Sequence, residues 1–131
     1  MKKLKLEIDG NHFQDIGSFY DELNRLTMSN EDWKLGNSLD AFNDLLYGGF
    51  GILKGFDELE IIWKNSEKSR SDLGFETTFH FYQNKLKHPE IFNSQYIQQK
   101  LDELQLGAGQ TYFEILLEII SEHKNISLTL A

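Results

Sequence analysis

Three short segments with β-strand patterns are separated along this chain by helical segments, and this order limits the possible folds. Apolar and polar residues alternate at residues 4–8 and 126–130, as in half-buried strands. The nearly continuous apolar character of residues 59–63 predicts a central strand that is covered on more than one side. Strands joined by helices cannot pair through hairpin turns, so they are expected to pair in parallel. The sequence therefore predicts an α/β fold, with a small three-stranded parallel sheet packed with helices.

The helical segments are marked by apolar periodicity and by residues that start or stop helices. They are predicted at residues 19–28, 38–47, 67–73, 77–87, 94–106 and 111–123. Asn65 and Ser66 are expected to cap the third helix and Gly74 to end it, and Pro89 separates the fourth from the fifth. A chain of 131 residues can bury one core, so we expect a single domain over residues 1–131.

The charge of the chain narrows the class of partner. It carries 21 acidic and 13 basic residues, a formal net charge of −8 with neutral histidines. This is the wrong sign for a protein that gains affinity from phosphates, so no nucleic acid is expected as a ligand. Residues 31–60 hold seven acids against Lys34 and Lys54. A basic protein is therefore the expected partner.

The chain has no cysteine, which excludes disulfides and thiolate metal ligands and is compatible with a reducing compartment. Its first residues alternate between charged and apolar, unlike the apolar core of a signal peptide. No segment approaches the roughly 18 to 20 apolar residues of a membrane span. We expect a cytoplasmic protein that does not bind membranes and is a monomer when free.

The predicted helix at residues 38–47 has two different faces. Its apolar side contains Leu39, Phe42, Leu45 and Leu46. Its other side, at spacings i, i+3, i+4 and i+7, contains Asp40, Asn43, Asp44 and Tyr47. Asp40 and Asp44 are like charges one turn apart and mildly destabilise an isolated helix, so this side is interpreted as the contact for a cationic partner. The alternative is a solvated face, with Asp40 favourably near the helix N-terminus.

The last helix has a narrower polar stripe. Residues 111–123 are apolar nearly all round, apart from Glu114, Glu118 and Glu122 at successive i+4 steps. This stripe is either the solvated edge of a buried helix or a second acidic contact.

Other residues resemble parts of metal, nucleotide-binding or catalytic sites, but each of these sites is incomplete in the sequence. Glu76 and His80 have the spacing of a metal pair but no third ligand, so they are interpreted as surface residues. The glycines of residues 48–55 fit neither a dinucleotide-binding loop nor a phosphate loop. Asp40 and Asp44 lie on an exposed face, where their pKa values would not separate as acid and base catalysis requires. We expect no catalytic site, no metal and no cofactor.

With these residues in view, the chain resembles the barstar family, the intracellular inhibitors of the ribonuclease barnase. The resemblance is carried by Gly36, by Leu39-Asp40-Ala41 with Asn43-Asp44-Leu45-Leu46 after it, by Gly48, and by the ending Asn125-Ile126-Ser127-Leu128-Thr129-Leu130. It covers roughly residues 3–50 and 114–131. It implies a barstar-like fold in which residues 75–106 form an inserted helical segment before the last helix.

The resemblance also implies a function and a site. Asp44 would enter the phosphate-binding centre of a basic ribonuclease or ribonuclease-like toxin, with Asp40 beside it and Glu118 as an outlying acidic contact. The acidic face would imitate RNA phosphates and block the active site without making or breaking a bond. Lys34 and Asn43 stand where the family has a tyrosine and a tryptophan. The complete predicted contact set is Lys34, Gly36, Asp40, Asn43, Asp44, Tyr47, Gly48 and Glu118.

A second hypothesis keeps the barstar-like fold but gives it another basic protein as partner. The inserted segment would then make the contact through Phe79, Tyr82, Tyr96 and Ile97. The simpler interpretation is that these side chains pack as additional core. Aromatic surface near the first site is offered by Trp33, Tyr47 and Phe50.

Overall fold

A single three-stranded parallel sheet organises the molecule. The computed structural model describes all 131 residues and places strands β1 at Lys3–Asp9, β2 at Glu58–Lys64 and β3 at Ile126–Leu130. The strand order is β1-β2-β3, and Ile61 of β2 pairs with Leu6 on one side and Leu128 on the other. The predicted α/β class, the parallel pairing and the central place of the second strand are confirmed.

All the helices lie in the two connections that join the parallel strands. The first contains a short 3-10 turn at Gly10–His12, followed by α1 at Ile16–Thr27 and α2 at Leu39–Leu46. The second contains four helices: α3 Ser66–Asp72, α4 Phe75–Leu86, α5 Ser94–Gln105 and α6 Tyr112–Ser121. All six predicted helices are present, with ends within a few residues of those expected. None of them combines the length and the hydropathy needed to span a bilayer.

The core lies on one face of the sheet. Along β2, Leu59, Ile61 and Trp63 are buried and alternate with Glu58 and Glu60, which are exposed. The expectation that this strand is covered on more than one side is therefore wrong. The charged residues at alternate positions favour water, and the outer face stays open.

Trp63 is the centre of this core. Its ring stacks on Phe19 of α1 at 5.7 Å and meets Phe113 of α6 edge-on at 5.1 Å. Its indole Nε1 donates to Ser69 Oγ at 3.0 Å, which satisfies the one polar atom of the buried ring. The helices α1, α3 and α6 are thus held on the same face of the sheet.

One predicted cap differs in the structure. Asn65 occupies the N-cap position of α3, but its backbone is left-handed, with φ 53°, and its side chain makes no capping hydrogen bond. Its amide nitrogen donates instead to Asp9 Oδ1 at 2.9 Å. Asn65 therefore stands at the N-cap position as predicted, but its side chain is bound to the end of β1 and does not cap the helix. Gly74 follows the end of α3 as expected.

The helices α4 and α5 form a hairpin with a small apolar cluster of its own. Tyr82, Ile97 and Leu101 are buried in it, and Phe79 packs against them half-buried. These residues are additional core, as the simpler interpretation predicted. Tyr96 is the exception: it is 54% exposed, because its position on α5 lies outside the contact with α4.

Candidate functional site: an acidic face on α2 and α6

Local interactions define both ends of α2. Ser38 Oγ accepts a hydrogen bond from the Ala41 backbone N–H at 3.1 Å, which caps the first turn. Gly48 follows the helix with φ +73°, and a Cβ there would lie 2.9 Å from the Phe56 ring. Only glycine fits this left-handed, crowded position, so α2 stops sharply and is held rigidly at its C-terminus.

The two sides of α2 are separated as the sequence predicts. Phe42, Leu45 and Leu46 are buried in the main core, each at most 1% exposed, whereas Leu39 is only half-buried at the edge. Asp40 and Asp44 are exposed. Neither carboxylate makes a hydrogen bond or a salt bridge within the protein, although the chain contains thirteen lysines and arginines. The fold buries the apolar side and leaves the carboxylates of the acidic side without salt bridges.

The acidic surface continues onto α6, which packs beside α2. Of the three stacked glutamates, Glu114 belongs to the helix cap, where its carboxylate accepts from the Thr111 N–H at 2.9 Å. Glu118 and Glu122 are exposed and line the same cleft as Leu39 of α2. Glu118 accepts a hydrogen bond from the Gln110 side chain, and no lysine or arginine pairs with either residue. We call Asp40, Asp44, Glu118 and Glu122 the acidic face.

His123, to which sequence reasoning gave no role, joins the two helices beneath this face. It is only 8% exposed, and its Nε2 donates to Asn43 Oδ1 at 2.8 Å. Its ring meets the Tyr47 ring edge-on at 4.7 Å. A signal was present in the sequence: His123 follows Leu116 and Ile120 at helical spacing and therefore lies on the buried side of α6.

A cleft of about 410 Å³ separates the acidic face from the α4–α5 hairpin. Lys85 of α4 lines it, with Nζ over the Phe81 ring at 4.3 Å and the Phe92 ring at 5.0 Å. Burial lowers the pKa of Lys85, and the negative charge of Asp40 acts in the opposite direction. The two groups make no salt bridge, and their charges act on each other across the cleft.

The remaining predicted contacts lie around α2. Lys34 and Gly36 are exposed in the loop before the helix, and a Cβ on Gly36 would meet nothing within 4 Å. This loop is held by Asn24, whose Oδ1 accepts from the Leu35 N–H at 2.7 Å. Tyr47 is 72% exposed at the end of α2, whereas Gly48 is buried behind it.

Two aromatic side chains beyond α2 form a separate pair. The rings of Trp33 and Phe50 are 4.8 Å apart, and Trp33 is 44% exposed. Glu76 and His80 are both exposed, as their interpretation as surface residues predicts, and no three metal-ligating side chains come together anywhere in the chain.

Comparison with known families identifies the fold that carries this face. The model of the family described as Barstar (barnase inhibitor) matches residues 4–90, about two thirds of the chain. The protein belongs to the barstar family. The match includes β1, α2 and β2 and ends after α4, so α2 with Asp40 and Asp44 lies inside it and Glu118 lies outside it. No curated protein and no solved structure matches the chain.

Within this family, the chain presents an acidic helix with an altered centre. The resemblance places a tryptophan at the position of Asn43, in the middle of the acidic side of α2. Here Asn43 and the buried His123 ring occupy that region together, and Tyr47 covers the ring from outside. The middle of α2 therefore presents a polar amide that is hydrogen-bonded to a buried imidazole.

Proposed function

We propose that the protein is a cytoplasmic inhibitor of a basic, barnase-type ribonuclease and that it blocks the active site with its acidic face. It acts as a binding protein, without a catalytic step of its own. Membership of the barstar family supports the class of partner.

One observation carries the proposal. Asp40 and Asp44 stand exposed on a helix that is fixed at both ends, and no cation of the same molecule pairs with them. A ribonuclease active site has to hold phosphates and is therefore positively charged. Two carboxylates one helical turn apart can occupy such a pocket with no loss of internal ion pairs.

Residues around Asp40 and Asp44 would enlarge this contact. Glu118 and Glu122 extend the negative charge along the neighbouring helix, which accelerates the approach of a basic partner. Tyr47 offers an exposed aromatic ring at the end of α2, a residue type that often dominates interface energies. Lys34 and Gly36 would lie at the edge of the contact, where single charges mainly affect association rate.

The test is an inhibition assay with purified barnase-type ribonucleases. RNA cleavage is measured with increasing protein, and lysozyme, a basic protein without ribonuclease activity, serves as the binding control in calorimetry. We expect inhibition at one-to-one stoichiometry and much weaker binding to lysozyme. Full RNA cleavage by every such ribonuclease at a large excess of the protein would contradict the proposal.

A second function is favoured by the α4–α5 hairpin. Its Tyr96 is 54% exposed and lines the cleft opposite the acidic face. A partner that is basic but is not a ribonuclease would contact this ring as well as the acidic face. The variant Tyr96→Ala separates the two functions: it weakens binding to such a partner and leaves inhibition of the ribonuclease within about threefold, since rim contacts contribute little.

A further inference from the structure

The hydrogen-bonding pattern at the centre of the acidic face is determined by His123. Asn43 lies on α2 between Asp40 and Asp44, and its Oδ1 accepts from His123 Nε2 at 2.8 Å. With the Asn43 amide in this orientation its oxygen accepts, which requires the imidazole proton to be on Nε2. The histidine thereby occupies the acceptor end of the Asn43 amide.

The donor end of the same amide is free. Asn43 Nδ2 has no hydrogen-bond partner within the protein, and no buried side-chain nitrogen or oxygen is left unpaired, so this nitrogen is open to solvent. The acidic face then has one N–H donor between two carboxylates. Without His123, rotation of the amide would exchange its oxygen and nitrogen, and the face could offer a third acceptor instead.

The histidine is itself held in place. Its backbone N–H donates to the Ile120 carbonyl at 3.1 Å at the end of α6, and its ring is covered by Tyr47. At 8% exposure the ring has little room to turn. A fixed ring can fix the amide that it contacts, which is the condition for a preorganised contact surface.

We propose that His123 is a positioning residue that makes the acidic face selective for one pattern of partner groups. The matching surface has an acceptor oxygen, from a carboxylate or a backbone carbonyl, between two cationic side chains. This inference rests on the proposed function and adds to it the chemistry that the partner has to present at the centre of the contact. A partner with cations alone leaves the Asn43 N–H unpaired and binds less well.

Two variants of His123 separate hydrogen bonding from packing. His123→Phe keeps a ring against Tyr47 but cannot donate to Asn43, whereas His123→Gln keeps an N–H donor without the ring. Calorimetry with the inhibited ribonuclease is expected to show about tenfold weaker binding for His123→Phe, the size of one good hydrogen bond. His123→Gln is expected to bind more tightly than His123→Phe. Circular dichroism melting establishes that both variants are folded.

Nuclear magnetic resonance of the free protein tests the same contact without a partner. The imidazole nitrogen shifts of His123 are expected to place the proton on Nε2, and the Asn43 amide nitrogen is expected to be rigid in the wild type and mobile in His123→Phe. A proton on Nδ1, or an Asn43 amide that is equally rigid in both proteins, overturns the inference.

The binding experiment also distinguishes the inference from the proposed function. Undiminished binding by folded His123→Phe, or equal weakening by both His123 variants, overturns the positioning role, provided that Asp44→Ala in the same titration loses affinity. Equal binding by the wild type and Asp44→Ala overturns the proposed function itself.

Discussion

On the outer face of the sheet, lysines and glutamates form ion pairs across neighbouring strands, whereas the carboxylates of α2 make no salt bridge. Lys5 and Glu60 approach to 3.7 Å, and Lys64 and Glu7 to 3.1 Å. Both surfaces are exposed and both carry charge. The charges of the sheet form cross-strand pairs that stabilise the fold. On α2, two negative charges lie one helical turn apart, a spacing that destabilises the helix. The difference indicates which of the two surfaces is available to a charged partner.

The largest expected effect tests the buried side of α2. Phe42→Ala removes a ring that is 1% exposed and packs 5.9 Å from the Phe19 ring. The free energy of unfolding should fall by about 3–5 kcal/mol, because the substitution loses buried area and leaves a cavity. Urea denaturation measures the change. An unchanged midpoint would mean that α2 does not pack with this side on the core.

The next effect concerns the acidic side of the same helix. Asp44→Ala is expected to weaken ribonuclease binding by about 2–5 kcal/mol, because it leaves a cation of the partner unpaired at the interface. Its free energy of unfolding should change by less than about 0.5 kcal/mol, since the residue makes no contact that the fold needs. Calorimetry and urea denaturation measure the two quantities. A large loss of stability would mean that the fold itself needs the Asp44 carboxylate.

Glu22, unlike Asp40 and Asp44, is paired within the fold, and this pairing predicts that the stability of the protein depends on pH. Its carboxylate accepts from Arg25 Nε at 2.7 Å and contacts His12 Nδ1 at 2.6 Å. The hydrogen bonds from Arg25 and His12 hold the pKa of Glu22 below its ordinary value, against the effect of burial. A lowered pKa in the folded state adds stability above the unfolded-state pKa, and this stability is lost as pH falls through the folded-state pKa.

Stability should therefore decline as the pH falls below the usual value for glutamate, about 4.5. Glu22→Gln should be less stable than the wild type at neutral pH and show a flatter acid profile, measured as the melting temperature between pH 6 and about 2. Parallel profiles for the two proteins would show that the Glu22 interactions do not contribute to acid sensitivity.

The smallest effect is expected on the outer face of the sheet. Lys5→Ala removes an exposed pair with Glu60 and should lower the free energy of unfolding by at most about 1 kcal/mol. Ribonuclease binding should not change, because this face lies on the opposite side of the sheet from the helices. A loss of affinity comparable to that of Asp44→Ala would remove the distinction between the two surfaces.

The secondary structure and the parallel sheet followed from periodicity, because period-two and helical patterns reflect which side of each element is buried. The two different sides of α2 could be predicted for the same reason, because the apolar Phe42 and the charged Asp44 lie on opposite sides of the helix. The open outer face of β2 was not predicted, because Ile62 makes the strand nearly continuously apolar although Glu58 and Glu60 lie on the same face as Ile62.

The contact between Asn43 and His123 could not be assigned from the sequence. The two residues are 80 positions apart, and no local pattern connects the end of α6 with the middle of α2. Helical spacing could have placed His123 on the buried side, but its partner follows only from how α2 and α6 pack. The partner of the Asn65 side chain could not be assigned for a related reason: Asn65 is at the N-cap of α3, but its amide donates to Asp9 at the end of β1.

The central claim is that Asp40 and Asp44 bind a positively charged active site, and a pair of matched double variants tests it most directly. Asp40→Asn/Asp44→Asn and Glu58→Gln/Glu60→Gln each remove two negative charges, the first from α2 and the second from the outer face of the sheet. Calorimetry against the inhibited ribonuclease is expected to show a loss of about a thousandfold for the α2 variant and less than about threefold for the sheet variant. Equal losses, or none in either protein, would contradict the account.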